Sequence, residues 1–378
     1  MSTIFIEPLD VLYLRGNKLF GEAGSYGEAL LPPWPSVVAG AIRSRMLADA
    51  QLDLAAFGRN EITHPELGSP EQPGSFRITG FHLARRQSNG QMENLYPLPS
   101  DLLVLENDAK AIIVRKLSPV DQPKNGIQTS ALFDMLPVLA ESKRSKPLAG
   151  YWLNDEGWQT YLRGQVPTSK HLVKTTELWS YDQRVGVGLN VDTRHAEEGH
   201  LFSMQAVAFK PDVGFVCKVT GATPPECGIL RFGGDGRAAA VSAIPAVKPA
   251  IDIDNILQSR RCRLILTTPG IFTQGWLPNG GKQAANGEIL FDLHGVTGKI
   301  RCASVPRAEV ISGWNMAKSE PKPAQRVAPT GSVYWLMLDA TVTEKNLGKL
   351  AESGLWSESC EDTSRRAEGF NLLTIAAF

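Results

Sequence analysis

Leu31-Pro32-Pro33-Trp34-Pro35-Ser36, running into Val37–Arg45 (VVAGAIRSR), is the stretch on which the fold turns. A proline holds the residue before it in extended backbone, so the prolines at 32, 33 and 35 delay any helix until Ser36. Ser36 is expected to cap a helix whose apolar residues Val38, Ala41 and Ile42 recur at helical spacing. The opposite stripe, at i, i+4 and i+7, holds Ser36, Gly40 and Arg43: a hydroxyl, a gap and a cation. It begins at a helix N-terminus, where free N–H groups and the macrodipole favour an anion. A phosphate backbone can lie along such a stripe; the same residues also read as an ordinary capped helix with a solvated arginine. Ahead of it, Thr3–Leu14 predicts a strand bent at Pro8. Arg15-Gly16-Asn17 turns the chain into the glycine-bearing loop Gly21–Gly27. The opening is thus strand, loop, helix.

Downstream, residues 58–74 are rich in Pro and Gly and read as a surface insertion, while Phe76–Leu83, ending near Arg85-Arg86, and Leu102–Val114 read as strands. Ser118–Thr176 follows no regular pattern, but Tyr151, Trp152, Trp158 and Tyr161 imply a packed subdomain, with Lys143, Arg144 and Lys146 clustered near its middle. In residues 177–202, Arg184, Gly186, Gly188, Thr193, Arg194 and His195 have the look of a projecting hairpin. Leu201–Phe209 and Val213–Val219 are expected to pair around Lys210-Pro211-Asp212. Phe232-Gly233-Gly234-Asp235-Gly236-Arg237 offers backbone N–H groups and one cation to a phosphate. It lacks the spacing of a Walker or dinucleotide loop, and glycine clusters are also simply tight turns.

An inter-domain link is expected at 245–258, followed by a strand at Arg263–Thr268, with Arg260 and Arg261 before it. Lys299–Arg326 holds six basic residues (299, 301, 307, 318, 322, 326) against Glu309 and Glu320, around Trp314, a pairing suited to phosphate contact and base stacking. Gly331–Leu338 reads as a strand, Glu344–Ser353 as a helix and Leu372–Ala377 as a last strand. The second half repeats the plan of the first. We therefore expect an α+β chain of two ferredoxin-like (RRM-like, βαββαβ) domains: 1–250, with insertions near 58–74 and 118–200 including the hairpin, and 251–378.

The ordered motifs resemble the RAMP superfamily (repeat-associated mysterious proteins) of CRISPR systems, and within it the family formed by the third subunit of the Cmr, or type III-B, effector complex. The likeness lies in Leu31–Ser36 with Gly40-Ala41 and Arg43, Gly186–Asn190 with Thr193-Arg194 and Glu198-Gly199, and Phe232–Arg237. It continues through Thr268–Phe272, Ile311–Trp314, Pro321–Pro323 and Pro329–Trp335, nearly spanning the chain. The resemblance implies a non-catalytic RNA-binding and scaffolding subunit of a cytoplasmic ribonucleoprotein in antiviral defence. Such a subunit grips the 5′ handle of the crRNA and links the large polymerase/cyclase-like subunit to the backbone RAMP subunit in a hetero-oligomer. Carried onto matching motifs, the RNA-binding candidates are Ser36, Gly40 and Arg43; Arg184 and Arg194; Gly233, Gly234, Gly236 and Arg237; then Lys322, Arg326 and Ser332. Three alternatives stand beside this: a metal-independent RAMP endoribonuclease processing repeat RNA, a protein-only scaffold, and the equivalent type III-A subunit.

Composition constrains but does not choose. Over 378 residues the 39 Lys and Arg balance the 39 Asp and Glu, so any nucleic-acid reading rests on local patches. Five cysteines, at 217, 227, 262, 302 and 360, form no CxxC, which argues against a zinc ribbon or disulfide framework and suits a reducing cytoplasm. The N-terminus reads as neither signal peptide nor membrane anchor. His195 and His200, five apart, match no metalloprotease spacing, and the first helix has no histidine for acid–base cleavage. No metal, cofactor or catalytic residue is expected.

Overall fold

The structure, a computed structural model, describes residues 1–16, 26–122, 132–141, 145–246, 251–360 and 362–378, with backbone alone at Glu198 and Gly199. Most of the expected loop Gly21–Gly27 and Asn17 of the turn before it, together with Lys143 and Arg144, lie outside these residues. The elements that carry the argument run in chain order as β1 (Ser2–Pro8), α1 (Pro35–Asp49), β2 (Arg77–Arg86), β3 (Leu102–Glu106), β4 (Ile112–Lys116), β5 (Met135–Val138) and α2 (Asp155–Leu162). Next come β6 (Trp179–Leu189), β7 (Ala196–Phe209), β8 (Val213–Thr220), β9 (Cys227–Arg231), β10 (Ala238–Ala243) and β11 (Arg261–Leu266). The chain closes with β12 (Ile289–Leu293), β13 (Val296–Ser304), β14 (Val333–Leu338), α3 (Glu344–Ser353) and β15 (Leu373–Ala377).

Two compact units form from discontinuous segments, where two contiguous halves were expected. One comprises Met1–Met92, Thr176–Ala246 and Val310–Gln325; the other Glu93–Thr175, Val247–Glu309 and Arg326–Phe378. The aromatic-rich middle region therefore belongs with the C-terminal strands: Trp158, Tyr161 and Leu162 share a core with Ile265, Val333 and Trp335.

In the first unit the strands lie in the order β2-β8-β1-β10-β9, every neighbour antiparallel. Ile4, Phe5 and Ile6 are all buried, as expected of a central strand covered on both faces. α1 connects β1 to β2 and buries Val38, Ala39, Ile42 and Met46. Its N-cap is Trp34 with no side-chain cap bond, and Pro35 is already helical. The expected Ser36 cap is thus corrected: a first-turn proline sacrifices only an N–H that has no helical partner anyway. Between β8 and β10 runs the edge strand β9, where a second βαβ helix was expected.

β6 and β7 form the expected hairpin, registered from Trp179↔Phe209 to Val187↔Leu201. The β7–β8 pairing is corrected. β7 spends its edges on β6 and on Tyr26–Gly27, and β8 on β1 and β2, so the turn at 210–212 carries the chain from one sheet to another. The strand expected over Leu102–Val114 is likewise two strands. Asn107 Oδ1 accepts the N–H groups of Ala109 (3.0 Å) and Ala111 (2.9 Å), folding the chain back between β3 and β4.

The second unit orders its main sheet β12-β13-β14-β11-β15, with Gly281–Gln283 outside β12. α3 spans the expected residues, capped by Thr343 and Asn346. Here the hairpin arm Gly281–Gln283/β12 stands where the first βαβ helix was expected. Beneath the sheet Arg263, 1% exposed, donates to Asp101 Oδ2 (2.9 Å), Tyr161 O (2.7 Å) and Ala377 O (2.9 Å), while Tyr161 Oη–H donates to Asp101 Oδ1 (2.6 Å). The first residue of the expected strand Arg263–Thr268 is thus a buried structural cation.

Candidate nucleic-acid interface

Residues 12–15, just past β1, are the hub of the first unit. Leu12 exchanges two backbone bonds with Val207 of β7, both 2.9 Å, and Leu30 N–H donates to Leu14 O (2.6 Å) as the chain turns toward α1. Gly234 N–H donates to Tyr13 O (2.8 Å). A Cβ at Gly233, where φ is +80°, would lie 2.9 Å from that same oxygen, so glycine lets the loop approach. The hairpin base, the glycine loop and the approach to α1 therefore meet around Tyr13.

Two predicted cations converge on its ring. Arg237 lies 5.0 Å and Arg184 5.9 Å from the centroid, and Arg184 also donates to Tyr13 Oη (3.0 Å). Both are already paired. Arg184 donates to Asp182 (2.9 Å), and Arg237 to Asp10 (2.5 Å) with Asp235 3.8 Å away. The hydrogen bonds to Asp182 and Tyr13 push the Arg184 guanidinium further above its ordinary range, so it stays charged. The amides of Phe232 and Arg237 bond within the loop and that of Gly234 bonds to Tyr13 O, leaving those of Gly233, Asp235 and Gly236 without a protein acceptor among the described residues. Three open amides beside a compensated arginine make a milder anion cradle than the sequence implied.

On the hairpin, Gly186 and Gly188 serve packing. A Cβ at 186 would sit 2.4 Å from the Phe202 ring, and one at 188 would sit 2.9 Å from His200 Cβ. The opposite face projects Tyr181, Val185, Val187, Leu189 and Leu201, all exposed. Arg194 sits at the tip, exposed, with φ +55°. On α1, Gly40 is exposed with open space where a Cβ would stand, Ser36 is half-buried, and Arg43 lies over the Phe76 ring at 5.0 Å.

The remaining candidates separate. Ser332 is fully buried and its hydroxyl donates to Pro329 O (2.7 Å), so it is a strand-entry residue and not a surface ligand. Lys322 belongs to the first unit and Arg326 to the second. Two cations of the basic stretch 299–326 are paired within the second unit: Lys299 with Glu288, and Arg301 with Asp134. Trp314 is exposed, as base stacking requires. His64 Nδ1 accepts the amides of Glu66 (3.1 Å) and Leu67 (3.2 Å), and His200 Nδ1 lies 2.6 Å from Glu197. Tyr13 and Asp10 escaped the sequence reading because Tyr13 sits among the apolar residues of a predicted strand and Asp10 beside a proline bend.

The chain matches the family described as CRISPR-associated protein (Cas_Cmr3) over residues 4–376. It belongs to that family. No curated protein sequence matches it. Among solved structures it is similar to a chain of the type III-B Cmr-beta complex bound to cognate target RNA, at 14% identity and TM-score 0.50, covering 98% of this chain and 96% of that one. The same complex bound to cognate target RNA and AMPPnP, state 1, gives 14% identity and TM-score 0.47, with 88% and 86% covered. A chain of the Csm3-Csm4 subcomplex of the type III-A interference complex gives 10% and 0.38, with 90% and 94% covered. At these identities the structural likeness speaks to fold, and the family match makes this a type III-B CRISPR effector subunit.

Proposed function

We propose that the chain binds RNA without cleaving it, gripping the 5′ handle of the crRNA and scaffolding the effector between its large polymerase/cyclase-like subunit and the backbone RAMP subunit. The observation that carries this is the convergence on Tyr13 of hairpin base, glycine loop and helix approach, three motifs of one family brought together from residues 13, 184 and 233–237. A short single strand crossing there would meet open amides, a fixed arginine and an apolar hairpin face suited to bases. The open lane along Ser36 and Gly40 extends the path for phosphates, and Arg194 at the hairpin tip adds a cation.

Each main sheet has the strand order of a ferredoxin-like module. One keeps only the first crossover helix and the other only the second, which supports two such modules, each with a helix replaced by strand. For the cleavage alternative, His64 already uses its Nδ1 on backbone amides, which favours a turn-holding role. No helix among the described residues is long and apolar enough to cross a membrane; the cytoplasm is the compartment this role requires.

The test is cross-linking of the reconstituted complex, loaded with guide RNA carrying photoreactive bases in its 5′ handle, beside Arg43→Ala/Arg194→Ala. Handle cross-links to this chain, weakened in the double variant, are expected, with the salt slope of RNA retention falling by about one per lost phosphate contact. Cross-links confined to other subunits would leave a protein scaffold.

A further inference from the structure

Within the second unit an open groove of about 730 Å³ runs beside β5. Phe133, Met135, Trp276 and Val305 line it, and Arg326 is its one charged lining residue. The aromatic wall is braced by two contacts: Phe133 and Trp276 meet edge-on at 5.3 Å, and Tyr334 Oη–H donates to the Trp276 carbonyl oxygen (2.6 Å). Yet the lips stay wet, with Leu132 48% and Trp276 38% exposed. Arg326 is exposed and pairs with no carboxylate among the described residues, unlike Lys299 and Arg301 of the same stretch.

We infer that this groove docks a segment of another protein subunit, one that inserts bulky apolar side chains and sets a carboxylate against Arg326. The volume suits a few large side chains, and a single cation beside an apolar pocket asks for an aliphatic or aromatic anchor flanked by Asp or Glu. RNA fits poorly, because nucleic-acid interfaces are polar and strongly basic while this lining is almost wholly apolar. Arg326 thereby moves from the RNA candidates to a protein interface. The inference rests on the scaffolding reading above, which supplies a hetero-oligomer for the segment to come from.

The test replaces Trp276 with p-benzoylphenylalanine in the chain assembled with the protein subunits and guide RNA of its effector, followed by irradiation and peptide mapping. A cross-link to a peptide of a different subunit, with an apolar anchor and an acidic residue within a few positions, is expected. Arg326→Glu should lower retention of that subunit at least tenfold at unchanged melting temperature, and an acidic-to-arginine change in the mapped peptide should restore it. Cross-links to RNA, to a second copy of this chain, or none above the exposed control position Leu290 would each overturn the inference. Handle cross-links are read in parallel. Their loss with groove cross-links intact refutes RNA gripping alone, and the reverse refutes the groove alone.

Discussion

Asp101 and Arg263 are, respectively, 0% and 1% exposed, and neither can relax into water when the other is removed. Asp101→Asn keeps the shape of the side chain and deletes its charge, leaving the guanidinium with two carbonyl acceptors and no counter-ion. Breaking a buried pair in this way costs about 3–5 kcal/mol, a large part of the 5–15 kcal/mol typical of a whole domain. Arg263→Met should cost about as much, since it strands the carboxylate and takes the guanidinium donors from the carbonyls of Tyr161, which keeps the Gly164 N–H, and Ala377. The double variant should fall short of the sum by about 2–3 kcal/mol, because each change alone already forfeits the shared bond. Urea denaturation followed by tryptophan fluorescence reads this directly. Trp158 stacks 4.5 Å from Tyr96 and 5.7 Å from Tyr161, inside the same cluster. An Asp101→Asn stability within about 1 kcal/mol of the parent, the range of an exposed pair, would refute the reasoning.

Burial holds His294 below the ordinary histidine range, and its Nε2 lacks a protein partner among the described residues. The unfolded chain therefore takes up a proton first, so stability present above pH 6.5 is lost as pH falls through the lowered folded value. His294→Asn, which tolerates the φ of +55°, should flatten the urea midpoint between about pH 7 and 5; an unchanged slope counts against it. Gly186→Ala should displace the Phe202 ring and cost about 1 kcal/mol, with Phe202→Leu recovering most of the loss; a neutral Gly186→Ala would mean the ring does not pack there. Arg237→Met should destabilise by about 1 kcal/mol, discounted because the pair with Asp10 is partly solvated, and should loosen the glycine loop's amide exchange. Wild-type protection of Gly234 N–H in that variant would separate the loop from the ion pair.

Much of the fold was legible locally. The helix at Glu344–Ser353 follows from its own capping box and apolar spacing, and the hairpin of β6 and β7 from the glycines, Thr193 and arginines gathered between two probable strands. Those signals are short-range, so sequence carries them in full. Strand partnership is not short-range. Val213–Thr220 looks like the mate of the strand before it, but two-sided burial draws it between β1 and β2, more than a hundred residues upstream. Side-chain environment is equally nonlocal. Ser332 reads as a surface ligand yet is fully buried, and Arg263 finds its partners Asp101 and Tyr161 only through packing of the middle region. The candidate site divides in the same way. Glycine loop, hairpin and first helix each announce themselves in sequence because special backbone conformations demand special residues. Their meeting at Tyr13, the carboxylates that compensate two of the arginines, and the assignment of Lys322 and Arg326 to different units depend on contacts between distant segments. A linear pattern cannot encode those contacts, because hydrophobic burial rewards any complementary partner and tertiary geometry alone selects which one arrives.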